Sequence, residues 1–196
     1  MTTARFDLTS STISDAQRDM RHAYYGGAPG VLTSGLAWAM AALVCYQLSP
    51  QQAIWALFIG GMFIHPVAVV VTKMLGRPGN HTPGNPLGAL AMASTIWMIL
   101  CLPLAYGVSL LRIEWFFPAM LAIIGGRYLT FSTMYGGRMY WACGAALAIA
   151  GWLLFQAKAS PATAAAAGAA IECVFAVLIF KTTPREGEVA VLAQST

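Results

Sequence analysis

What this chain lacks narrows its class before any motif is sought. Only 9% of its 196 residues are charged, against about 25% in an ordinary soluble domain. The basic residues are scattered singly, with no basic run of the kind that tracks a phosphate backbone, so a nucleic-acid partner is excluded. Cys45, Cys101, Cys143 and Cys173 lie in separate apolar stretches. Their spacing suggests neither a disulfide framework nor a zinc site. No Walker loop, HExxH pair, serine nucleophile elbow or dinucleotide glycine pattern is present, and no cofactor is implied.

What is there is apolar length. From Val31 onward six runs of about 20 apolar residues, enough for a bilayer core of about 30 Å, alternate with brief polar punctuation: Val31 to Leu48, Ala53 to Leu75, Leu87 to Val108, Trp115 to Met134, Met139 to Ala157 and Ala162 to Phe180. No alternating ten-residue pattern of the barrel type appears. The fold class is therefore all-α, a polytopic membrane protein with six transmembrane helices in a compact bundle, lipids being its surroundings. Residues 1–30 are polar and contain no apolar run, which excludes a signal peptide. They read as a cytoplasmic segment with an interfacial helix over Asp15 to Tyr25, capped by Ser14. Residues 31–181 form the transmembrane domain, and residues 182–196 a cytoplasmic tail.

Orientation follows from charge. With the N-terminus inside, Arg5, Arg18, Arg21, Lys73, Arg77, Arg138, Lys181 and Arg185 fall on the cytoplasmic side and only Arg112 and Lys158 outside. Tyr46, Trp55, Tyr106, Trp115 and Trp152 would mark the outer edge, and Tyr24, Tyr25, Tyr135, Tyr140 and Trp141 the inner one. Both termini are expected in the cytoplasm.

Ionisable groups inside spans are costly and rarely face lipid. His65, Arg127 and Glu172 are the three here. Each sits on an inward-running helix, about 10 to 14 Å from its inner end at 1.5 Å rise per residue, so they are expected in one hypothetical polar layer. Gly61 and Gly168, four residues before His65 and Glu172, would let another backbone approach on the same face. Glu172 would be neutralised by Arg127, protonated or hydrated in a cavity, and a structural Arg127–Glu172 pair competes with a binding role. Arg127 has the further option of snorkelling to the headgroups.

Two more candidates lie in the long loop from Gly76 to Pro86. Arg77 and His81 there would offer positive charge to an anion, against plain turn chemistry. Gly144, Ala148 and Gly151 form a small-residue stripe on the fifth helix, a candidate homo-oligomer face. Small residues also mark the second helix of each hairpin, at Gly60-Gly61, Gly125-Gly126 and Gly168. Their unequal spacing argues against an internal repeat.

Several segments together resemble an uncharacterised family of small bacterial integral membrane proteins. They are Tyr25-Gly26-Gly27-Ala28-Pro29-Gly30, Ile64-His65-Pro66, Gly76-Arg77-Pro78-Gly79, Asn85-Pro86-Leu87-Gly88, Leu111 to Pro118 and Gly125-Gly126-Arg127-Tyr128. The resemblance covers about Met20 to Trp141, leaving Glu172 outside it. It implies a bacterial inner membrane and supplies no activity. Three functions are compatible with these residues. One is a small-solute or ion transporter with a polar site open to the cytoplasm. Another is a membrane enzyme on a lipid-soluble substrate, with His65 as base oriented by Glu172. The third is an assembly subunit.

Reporters fused to either terminus should both read the cytoplasmic side, giving fluorescent-protein signal without alkaline phosphatase activity. Phosphatase activity at both ends would overturn the orientation.

Overall fold

The computed structural model describes residues 12–183, and within them every regular element is helical. Helix α1 (Ile13–Tyr24) is followed by a short 3-10 turn at Tyr25–Gly27. The six long helices are α2 (Ala28–Gln47), α3 (Pro50–Met74), α4 (Pro86–Leu111), α5 (Phe116–Tyr135), α6 (Arg138–Gln156) and α7 (Pro161–Thr182). They match the six apolar runs to within a few residues. The tail expected from Thr182 lies, past Thr183, outside the described residues, as do residues 1–11.

Local chemistry sets the starts. Ser49, Asn85 and Ser160 accept from the backbone N–H of Gln52, Leu87 and Thr163, and each is followed by proline at the first helical position. Proline there loses no intrahelical bond, and its fixed φ suits the first turn. Helix α1 starts two residues earlier than Ser14 would place it. Thr12 is its cap, because Asp15 returns the bond by accepting from the Thr12 N–H at 2.9 Å, closing a capping box.

Five helical stretches, containing α2, α3, α4, α6 and α7, are long and apolar enough to cross a membrane. Helix α5 is as long as α2 but carries Arg127, Thr130, Ser132 and Thr133. It is also the most enclosed, lying against α4, α6, α7 and α1, so it needs less apolarity than helices that face lipid. The outward faces of the others are apolar: Ile59, Met62 and Phe63 on α3, Trp97, Leu100 and Leu104 on α4, Ile149 and Leu153 on α6 are all exposed. Soluble proteins rarely expose such patches.

Lipid tails are as apolar as leucine, so close backbone approach has to drive association. The tightest seams are α2 with α7, α5 with α6 and α2 with α3. A Cβ on Gly125 would lie 2.7 Å from the Gly144 carbonyl, and one on Gly151 2.7 Å from the Pro118 carbonyl. Gly168 lies under the Trp38 ring, Gly35 under Cys173, and Gly60 against Ala37. The Gly144–Gly151 stripe is thus covered by α5 within one chain. It is not the open face expected for a second copy.

Helices α3 and α4 differ from the rest. One leans on α2 and the other on α5, and between them there is hardly any direct packing.

Candidate functional site

Chain order places α1, the α3–α4 loop, the α5–α6 turn and the end of α7 at one end of the bundle. Helix α1 is fastened across that end by polar bonds. Asp19 accepts from the Thr82 hydroxyl at 2.7 Å, the Thr82 N–H at 3.0 Å and the Asn85 amide at 2.7 Å. Asn85 also donates to the Ala16 carbonyl at 3.0 Å, and the Gly79 N–H to the Ala23 carbonyl at 2.9 Å. On the other flank Gln17 donates to the Thr133 carbonyl at 2.7 Å and Arg21 to the Tyr135 carbonyl at 2.5 Å. These bonds answer carbonyls that the end of α5 leaves open. Burial works against the Asp19 carboxylate, yet the Asn85 and Thr82 bonds outweigh it and hold its pKa below the usual carboxylate range.

Arg77 and His81 belong to this cap. The Arg77 guanidinium is buried and lies 5.2 Å from the centre of the Tyr25 ring. The His81 Nδ1 is 2.9 Å from the Tyr24 hydroxyl. Gly26 and Gly27 turn the chain into α2 with φ of 63° and 85°, a region that favours glycine. A Cβ on Gly27 would strike the Tyr140 hydroxyl and the Tyr135 ring. Tyr140 donates to the Gly26 carbonyl at 2.6 Å. Tyr25, Tyr135 and Tyr140 are therefore buried struts under the cap, not the headgroup markers that sequence suggested.

Below the cap the tyrosines continue inward. The Tyr135 and Tyr140 rings stack at 5.3 Å between centres, and Tyr140 and Tyr128 at 6.1 Å. Tyr128 leads to Glu172. That carboxyl is fully buried among α2, α5, α6 and α7, and neither oxygen has a hydrogen-bond partner. The Ser34 and Tyr128 hydroxyls are the groups near enough to supply one with a small rotation, and Cys143 and Cys173 are close by. One helical turn from Ser34, the Trp38 indole N–H is also buried without a partner.

The expected common layer does not form. Arg127 precedes Tyr128 by one residue, about 100° around a helix, so it faces α4 while Tyr128 faces Glu172. Its Nη2 donates to Thr95 Oγ1 at 3.0 Å and its Nη1 lies 3.2 Å from the Met98 sulfur. Its guanidinium is 5.2 Å from the Phe131 ring centre, and Nε is buried without a partner. Among the described residues it makes no ion pair with Glu172. His65 is exposed, with nothing near Gly61 to cover that face of α3. It bonds to neither group, which removes the His65–Glu172 acid–base pair.

Sequence reading missed Ser34, Trp38 and Tyr128 beside Glu172, and Asp19 and Asn85 in the cap. A signal existed for two of them: Asp19 and Asn85 are polar residues next to apolar helix faces. Two shallow cavities open at the ends of the bundle, about 250 Å³ beside Trp55 and Tyr106 and about 380 Å³ beside Gln17 and Trp141. Neither is lined by His65, Arg127 or Glu172. Among the described residues no three His, Cys, Asp or Glu side chains are grouped to hold a metal ion.

Residues 13–182 match the model of a family of unknown function (DUF7010), and the chain belongs to that family. The match extends past the Met20-to-Trp141 resemblance and takes in Glu172. No curated protein and no solved structure matches the chain.

Because the Asp19 pKa is depressed in the folded state, its contribution is present at neutral pH and lost as pH falls through that lowered value. Asp19→Ala should expose Arg18 and Arg21 to trypsin at pH 7 while the helical signal of the spans persists. The wild type should keep the hydrogen-exchange protection of α1 through the ordinary carboxylate range and lose it only at pH below that range. Unchanged trypsin protection in the variant would contradict the clamp.

Proposed function

Starting from a multi-pass member of a family with no assigned activity, we propose a proton-coupled carrier of small solutes in the bacterial inner membrane. In this reading all six long helices span the bilayer, α5 included, and both termini are cytoplasmic. The orientation is supported by charge, since Arg18, Arg21, Lys73, Arg77, Arg138 and Lys181 lie at the α1 end and Arg112 and Lys158 at the other.

The observation that carries the reading is Glu172. A carboxyl buried in a membrane bundle is expensive, and such groups mark ion and proton pathways. Here no hydrogen bond is formed to either oxygen, and the Ser34 and Tyr128 hydroxyls and the Arg127 charge nearby offset only part of the cost. A purely structural acid would be expected to have partners, since packing alone gains nothing from a charge. A proton-binding acid has to be able to lose and regain them. Ser34 and Tyr128 supply hydroxyls that bond the neutral acid or the carboxylate equally well, each being donor and acceptor. The stacked tyrosines connect that position with the cap. In the arrangement described, Tyr140 bound to Gly26 and α1 bound to Thr82 and Asn85 close the inner end. Loosening the cap would admit water to the tyrosines and to Glu172, which is the inward-open state of a carrier. The site is thus occluded, not open to the cytoplasm as first expected from sequence.

The test is solute-driven proton movement. The full chain is reconstituted in liposomes loaded with a pH-sensitive dye, and a panel of amino acids, sugars, inorganic ions and short organic acids is added outside. At least one solute should shift internal pH. Glu172→Gln should abolish the shift without lowering insertion or thermal stability, and Tyr128→Phe should slow it. A Glu172→Gln protein as active as the wild type would refute the reading, as would a panel in which no solute moves pH.

A further inference from the structure

Arg127 makes no ion pair among the described residues, and its surroundings differ from those of Glu172. Its acceptors are a threonine hydroxyl and a thioether sulfur. Both are neutral, and a thioether is a weak acceptor. The Nε edge, buried and unused, is half of the planar fork with which arginine takes a carboxylate in two parallel bonds. A guanidinium in this state is waiting for an anion.

The direction from which an anion would arrive follows from the faces of α3 and α4. On α4, Gly88, Thr95 and Tyr106 fall on one stripe at helical spacing. Gly88 at one end touches His81, and Tyr106 at the other meets Trp55 and Phe58 of α3. Thr95, the Arg127 partner, is therefore on the α3 side. On α3 the matching stripe runs through Ile54, Phe58, Gly61, His65 and Thr72. Ile54 and Thr72 at its two ends are buried, whereas Gly61 and His65 in the middle are exposed, with nothing within 4 Å of a Gly61 Cβ. The two helices are thus bridged at one end by aromatic rings and at the other by the α3–α4 loop. Between these bridges α3 and α4 hardly pack on each other and the Gly61–His65 face of α3 is uncovered, while Arg127 is held on the α4 side through Thr95.

We infer that the space between these two faces is a lateral cleft that binds a lipid-soluble monocarboxylate, its chain along the apolar walls and its carboxylate on the Arg127 guanidinium. Depth selects this ligand over a phospholipid headgroup. Arg127 stands about 12 Å from the Tyr135 end of α5 at 1.5 Å per residue. A phosphodiester is always ionised and stays at the membrane surface. A carboxylic acid crosses apolar regions in its neutral form and ionises where a fixed cation receives it. As a statement about the carried solute, the inference rests on the transport reading above. As a statement about binding, it stands on the cleft and Arg127.

The experiment uses the full chain in phosphatidylcholine nanodiscs with decanoate as probe and decanol as its uncharged counterpart, followed by tryptophan fluorescence. Decanoate should bind saturably and decanol should not. Arg127→Gln should weaken decanoate by about tenfold or more, the equivalent of one charge-assisted hydrogen bond. Arg127→Lys, which keeps the charge, should recover part of it. Equal binding of decanol, or equal affinity in Arg127→Gln protein that elutes as a folded monodisperse species, would overturn the site. So would nanodiscs containing phosphatidylglycerol in which that lipid displaces decanoate from the wild type but not from Arg127→Gln, because the headgroup would then be the Arg127 ligand. Proton movement measured beside binding on the wild type separates the two proposals: decanoate that binds without moving protons would remove it as a carried solute and keep the site.

Discussion

Moving a carboxylate from water into packed helices costs several kcal/mol unless a cation or hydrogen bonds offset it, and at Glu172 no hydrogen bond is formed, with the Ser34 and Tyr128 hydroxyls and the Arg127 charge only nearby. The four helices around it are nonetheless the best-packed part of the molecule. Gly35 and Gly168 bring α2 and α7 together on either side of the acid, and Gly125, Gly144 and Gly151 do the same for α5 and α6. The bundle therefore holds an uncompensated acid in its tightest region. That combination makes sense for a group whose charge changes during function, and it dictates that the ends of the bundle be sealed whenever the site is dry.

The seal at one end is visible. Helix α1 is too short and too polar to span, and its bonds run to two separate places: the α3–α4 loop through Asp19 and Ala23, and the end of α5 through Gln17 and Arg21. The double glycine after it places the chain against Tyr135 and Tyr140, so the cap and the tyrosine stack are in direct contact. Arg127 points toward Thr95 and Met98 of α4 and away from Glu172, because it stands about 100° around α5 from Tyr128. One helix thus carries two adjacent residues into two different sites.

Much of the fold was legible because its signals are one-dimensional. Apolar length gave the six long helices, and Ser49-Pro50, Asn85-Pro86 and Ser160-Pro161 punctuated them. Depth was also legible, since it needs only a count along each helix. Azimuth was not, because it depends on which helix lies beside which. The small-residue rule illustrates the difference: Gly168 before Glu172 does admit a neighbour, Trp38, whereas Gly61 before His65 admits none. Arg127 was expected beside Glu172 because both sit at one height, but a 100° step separates it from the residue that faces the acid. Arg77 and His81 offered positive charge to an anion on paper. Their actual neighbours, Tyr25 and Tyr24, come from the segment before α2, and no local pattern ties that segment to a loop some fifty residues away.

The account turns on whether Glu172 holds a proton in a sealed interior. Infrared difference spectroscopy of the reconstituted wild type against Glu172→Gln tests this most directly, through the carbonyl band of a protonated carboxyl and its shift in heavy water. The account predicts such a band at neutral pH in the wild type alone, shifting slowly in heavy water and rapidly once the α1 clamp is broken. A spectrum containing only ionised carboxylate at Glu172, or a band that shifts at once in the intact protein, would contradict it.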